Sequence, residues 1–166
     1  MNPQPFARAL MLTLTLTAAS TAGAEESPHL ITDSAVCAPT GVALGGYDVV
    51  SYFVDGPQLG SAEYTQVYDT LTYQFVSQAH LDRFREAPDR YLPKYRGWCS
   101  ATLSMGRLAC PDFTNYKIED GQLLLFERIG FANGLDMWNA DPVTAGQNAD
   151  QHYQRLLNEA EVQPVE

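Results

Sequence analysis

The sequence predicts a small α+β domain with two antiparallel β-hairpins and several short helices. Three observations carry this. Two pairs of alternating segments each flank a two-residue turn signal. Short stretches with apolar residues three and four apart lie between and after them. The chain, 166 residues long and 45% hydrophobic, is long enough for one sizeable core. No internal repeat, low-complexity run or linker is read from the pattern, and one domain is expected over residues 42–158.

Residues 1–24 read as a secretory signal. Arg8 gives a positive start, Ala9 to Ser20 is uncharged and rich in Ala, Leu and Thr, and Ala22-Gly23-Ala24 offers small residues for cleavage. An anchoring helix would need about 20 apolar residues, and this run falls short. Residues 25–41 follow as a polar arm. Gly41 to Gly46 serves chain reversal, since it matches neither GxGxxG nor a P-loop. Tyr47 to Phe53 is a compact apolar run that Asp55-Gly56-Pro57 breaks. Glu63 to Tyr68 and Leu71 to Val76 alternate as strands around Asp69-Thr70, the first hairpin.

Ser77 caps a helix carrying His80, Leu81 and Phe84 on one face, and that helix stops before Pro88. Tyr91 to Tyr95 connects. Gly97 to Met105 is a short helix, with Met105 sharing a core face with Trp98 and Thr102. Asn115 to Glu119 and Gln122 to Glu127 flank Asp120-Gly121, the strongest hairpin signal in the chain. Phe131, Leu135 and Trp138 share one face of a helical segment. Asp141-Pro142 starts the last helix, which Tyr153, Leu156 and Leu157 give an apolar side, and residues 159–166 are expected to fray.

Ten basic residues against 20 acidic ones give a net charge of −10. Such a surface repels phosphate, which argues against a nucleic-acid or anionic-lipid partner. An exported chain meets an oxidising compartment, so the three cysteines, Cys37, Cys99 and Cys110, are expected to pair with one left over. No CxxC, HExxH or Cys/His ribbon is present, which excludes the common redox and zinc motifs. Periplasm or secretion is the expected location. No segment beyond the signal is expected to span a membrane.

Gly46-Tyr47-Asp48, Tyr73-Gln74-Phe75-Val76-Ser77, Gly97-Trp98-Cys99-Ser100 and Asp120-Gly121-Gln122-Leu123, in this order, resemble motifs of the YHS-domain family in its exported, stand-alone form. Gly46-Tyr47-Asp48-Val49-Val50-Ser51-Tyr52-Phe53 is similar to that group's Gly-Tyr-Asp-x-Val-x-Tyr-Phe opening. Tyr73-Gln74-Phe75-Val76-Ser77 resembles its Tyr/Trp-x-Phe-x-Ser, and Phe84, Pro88 and Tyr91 its Phe-x3-Pro-x2-Tyr. Gly97-Trp98-Cys99-Ser100 resembles Gly-Tyr-Cys-Ala, and Asp120-Gly121-Gln122-Leu123 resembles Asp-Gly-Lys-Leu. The resemblance implies an α+β fold and a binding or accessory role in the bacterial envelope, for a small ligand, a metal ion or an envelope protein.

Other members of that family resemble a pattern with two cysteines where this chain has Val76 and His80, and soft thiolates suit copper. His80, Cys99 and Cys110 are therefore the candidate ligands for a copper ion. His80 has a second reading, a core histidine beside Phe84. Cys99 has two more, a nucleophile with His80 as base and a buried small residue. Cys37 and Cys110 fall outside the family positions, which favours a disulfide between them, with Cys99–Cys110 as the rival pairing. Tyr47 and Asp48 are the remaining polar candidates, and Asp48 is expected to cap the segment that follows it.

Overall fold

Asp69-Thr70 and Asp120-Gly121 have positive φ at both central residues. That is the turn geometry whose twist suits a two-residue hairpin. The turns join β1 (Ser61–Tyr68) to β2 (Leu71–Phe75) and β3 (Asp112–Glu119) to β4 (Gln122–Phe126), each pair antiparallel. The structure is a computed structural model that describes residues 37, 38 and 40–162. The expected signal (1–24) and all of the arm before Cys37 lie outside the described residues.

The chain is an α+β protein, as its sequence predicts. Its helices are α1 (Gln78–Glu86), α2 (Pro88–Tyr91), α3 (Ser100–Ser104), α4 (Gly134–Ala140) and α5 (Pro142–Val162). Ser77 caps α1, its hydroxyl accepting the His80 N–H at 3.3 Å. Asp141 caps α5 by accepting the Thr144 N–H at 3.2 Å. Both satisfy donors that a helix start leaves unpaired.

Hairpin β3–β4 reproduces hairpin β1–β2 together with the chain that precedes it, and this repeat is not expected from the sequence. The Tyr47 N–H donates to Leu44 O, and the Trp98 N–H to Tyr95 O. The Asp48 N–H donates to Gln58 O, and the Cys99 N–H to Ala109 O. Val54 and Gly56 donate to Ser51 O, and Met105 and Arg107 to Thr102 O. Each bond recurs displaced by 51 positions. The strand registers keep that displacement, including the break at Ser61/Thr65 and at Asp112/Tyr116. Parallel bridges cover the same edge of each hairpin, Val42 to Thr72 and Pro93 to Leu123. Beyond the hairpins, Phe84-x3-Pro88 is answered by Trp138-x3-Pro142. Residues 42–76 and 93–127 share three identities, Gly46/Gly97, Asp69/Asp120 and Phe75/Phe126. What repeats is the backbone bonding, which many residues satisfy.

β4 separates two cores. Its side chains alternate across the strand, and all four apolar ones are buried. Leu123 and Leu125 pack with Val49, Tyr73, Phe75 and Phe84. Leu124 and Phe126 pack with Tyr95, Trp98, Leu103 and Trp138 on the other face. A strand buried on both faces reads as an unbroken apolar run, which is what Leu123-Leu124-Leu125-Phe126 is.

Three expectations change. Phe131 is not on the helix with Leu135 and Trp138. It stands fully exposed at the turn between β5 (Arg128–Ile129) and β6 (Ala132–Asn133), a third small antiparallel pair, and α4 begins after the Asn133 cap. Met105 is 48% exposed, because α3 ends at Ser104 and turns it outward from the core face. Helix α5 continues to Val162, past the expected fraying point, and residues 163–166 lie outside the described ones.

Candidate functional site

Asp48 is fully buried and sits where three elements meet. Its Oδ1 accepts the N–H groups of Val50 (2.8 Å) and Ser51 (3.3 Å), at the start of a 3-10 turn over Ser51–Phe53. Its Oδ2 accepts the Val76 N–H at the end of β2 (2.9 Å) and lies 2.6 Å from His80 Nδ1 on α1. An ionised carboxylate can only accept, so Asp48 Oδ2 pairs with an Nδ1 that carries the hydrogen. The His80 side chain is 12% exposed. Sequence reasoning found the cap but not the imidazole partner, because the two residues are 32 positions apart. The chemistry on offer is an oriented imidazole, able to take a proton or to ligate.

Cys99 occupies the same slot in the second half. Its Sγ accepts the Glu127 N–H (3.1 Å) and the Thr102 N–H (3.5 Å), as Asp48 accepts those of Val76 and Ser51. The Thr102 hydroxyl donates to Cys99 O and the Ser51 hydroxyl to Asp48 O. Cys99 is fully buried in the second core. It is a helix cap whose acceptor is sulfur.

Cys110 is joined to Cys37 in a disulfide, which leaves Cys99 as the free thiol. A sulfur in a disulfide is not the thiolate ligand expected of Cys110. No hydrogen bond joins His80 to Cys99, and His80 is bonded to Asp48 instead. Among the described residues no group of three or more His, Cys, Asp or Glu side chains converges as a metal site. The structure therefore does not assemble the copper set His80, Cys99 and Cys110. The base–nucleophile pair His80 and Cys99 is not assembled either.

The other family-motif residues have packing roles. Tyr73, Phe75, Phe84 and Tyr91 are core, and Tyr73 stacks on Phe84 with ring centres 5.1 Å apart. Ser77 is a cap, Pro88 opens α2, and Tyr47 packs on Phe113.

A groove of about 560 Å³ opens between the β3–β4 turn and the α4–α5 corner. Leu124 and Trp138 lie at its floor. Glu119, Asp120, Lys94 and Asp150 stand on its walls. Lys117 Nζ lies 2.5 Å from Glu119 Oε1, and Trp138 Nε1–H donates to Glu119 Oε2 at 3.0 Å. The bond from Lys117, with help from Trp138, holds the Glu119 carboxyl below the usual glutamate range. Burial, with the hydrogen bond to Asp150, pushes the Tyr95 hydroxyl well up from its ordinary value. Comparison with protein-family models, curated proteins and solved structures found no match.

Proposed function

We propose that this chain is an exported binding or accessory module of the bacterial envelope, of the YHS-like kind its motifs resemble, working by binding through the groove over Trp138. One observation supports this reading over a thiol enzyme or a copper handler. Cys99 Sγ is sealed from solvent and already receives two backbone N–H groups, while Cys110 is bridged to Cys37. A nucleophile or soft ligand needs an accessible thiolate. A recess of this volume, part apolar and part polar, falls in the size range of small-molecule sites.

Alkylation read by intact mass tests it. The native protein, given a mild electrophile near neutral pH, is expected to stay unmodified, and to gain one adduct only when unfolded without reductant. Dialysis against copper followed by buffer should leave no stoichiometric metal. Rapid native labelling at Cys99 overturns the reading in favour of a thiol enzyme. One equivalent of retained copper, lost in Cys99→Ser, overturns it in favour of a copper protein.

A further inference from the structure

Asn133-Gly134 is the one Asn-Gly pair in the chain, and it begins helix α4. Asparagine is chemically labile, most of all before glycine, whose nitrogen no side chain shields. That nitrogen can attack the asparagine side-chain carbon, and water opens the ring that forms. The fold asks for both residues. Asn133 Oδ1 caps α4 by accepting the Leu135 N–H at 3.1 Å, and it also accepts from the Asn115 amide at 2.8 Å. At Gly134 a Cβ would stand 3.1 Å from Glu127 O and 3.4 Å from both Ala101 Cβ and Glu127 N. A side chain fits there only if the backbone moves. Cap and close approach together put a self-reactive pair at the start of the helix that carries Trp138 into the second core.

The same contacts hold the pair in a geometry that cannot react. Asn133 is extended, with ψ 112°, which turns the Gly134 nitrogen away from the Asn133 side chain. Ring closure needs that peptide to swing round onto the side-chain carbon. The Gly134 N–H is fixed to Glu127 O at 2.9 Å, and Glu127 is fixed in turn by its own N–H, which donates to Cys99 Sγ. Asn115, buried at 3% exposure, donates to Glu127 O at 3.3 Å as well as to Asn133 Oδ1, so it clamps both sides of the β5–β6 base. The Arg128 guanidinium donates to Asn115 Oδ1 at 3.1 Å and holds the clamp in place. The bonds from Gly134, Leu135 and Asn115 must all break before the nitrogen reaches its target.

We propose that Asn133 is a deamidation site gated by this clamp: closed in the folded chain, and released when the base of β5–β6 opens while the rest stays folded. In the reaction the Gly134 nitrogen gives up its proton and bonds to the Asn133 side-chain carbon. The side-chain nitrogen leaves as ammonia. Water then adds to one of the two ring carbonyls. Addition at the side-chain carbonyl gives aspartate, which keeps an acceptor for the cap. Addition at the backbone carbonyl gives isoaspartate, which lengthens the backbone by one methylene and displaces the cap from the start of α4. A brief opening is thus recorded as a permanent change beside Trp138.

The test is peptide mapping of the full oxidised chain after incubation in mildly alkaline buffer, which separates asparagine, aspartate and isoaspartate at this position. The folded chain is expected to react roughly tenfold or more slowly than the chain unfolded in urea. Urea below the midpoint of the tryptophan transition should speed the reaction before the tryptophans respond. Asn115→Ala removes the clamp and should speed it severalfold. Arg128→Ala, at a half-exposed side chain, is the milder second variant and should speed it to a smaller degree. Asn133→Asp should keep the melting temperature, while the purified isoaspartate form should lower it. Equal rates in the folded and unfolded chains overturn the proposal. So does a rate that rises only with the tryptophan transition and ignores both variants, and so does an isoaspartate chain that melts as the unmodified one does.

Discussion

At the scale of single residues, Asp48 and Cys99 fill one cap position with different atoms. The carboxylate satisfies three backbone N–H groups and an imidazole, whereas the sulfur satisfies two backbone N–H groups with a weaker acceptor. Losing the first should cost more. Asp48→Ala strands three donors, the Val50 and Val76 N–H groups and the His80 imidazole, while the Ser51 N–H keeps its bond to the carbonyl of residue 48, and is expected to destabilise by about 3–5 kcal/mol. Cys99→Ala leaves two donors and a small cavity, at a cost of about 2 kcal/mol. Urea denaturation of both variants measures the difference, and equal losses would mean that the imidazole contact contributes nothing. The cap at Asp48 was legible, since an Asp before an apolar run is a local signal. Its pairing with His80 was not, because only tertiary folding brings β2, α1 and the 3-10 turn together.

At the scale of elements, the two main hairpins were legible for a local reason: alternation on both sides of a turn that tolerates positive φ. The β5–β6 pair was not. Each strand has two residues, too few to alternate, and Phe131 happens to fit the helical spacing of Leu135 and Trp138. The repeat escaped because it is carried by hydrogen bonds that side chains as different as Asp and Cys, or Ser and Thr, can each make. It yields a prediction of its own. Thr70 and Gly121 occupy the second turn position of the two hairpins, at φ 67° and 76°. A β-branched residue is strained there and glycine is not. Thr70→Gly should therefore stabilise the chain by about 1 kcal/mol, even after the entropy that glycine adds to the unfolded state. Gly121→Thr should cost at least as much. Thermal melts of the pair check the sign, and a destabilising Thr70→Gly would show that the threonine makes contacts worth more than its strain.

At the scale of the whole molecule, the halves are tied by more than the chain between them. β4 belongs to the second hairpin, yet Leu123 and Leu125 complete the core of the first. Arg96 of the second half forms an ion pair with Asp69 in the turn of the first. A strand shared by two cores cannot leave one without exposing the other, so unfolding should be a single cooperative transition. Both tryptophans, Trp98 and Trp138, report the second core, while hydrogen exchange at β2 and α1 reports the first. The two probes should give the same midpoint in urea. The Cys37–Cys110 disulfide spans 73 positions, and closing a loop of that length stabilises by about 4 kcal/mol in the chain-entropy account. Cys37 packs beside the second core, while the loop that the bridge closes contains the whole first half, so with a looser coupling reduction would move the two midpoints by different amounts. Coupling through β4 requires that Cys37→Ser, or reduction, shift both midpoints together. Separation of the two curves would show that Leu123 and Leu125 fill the first core without holding it to the second.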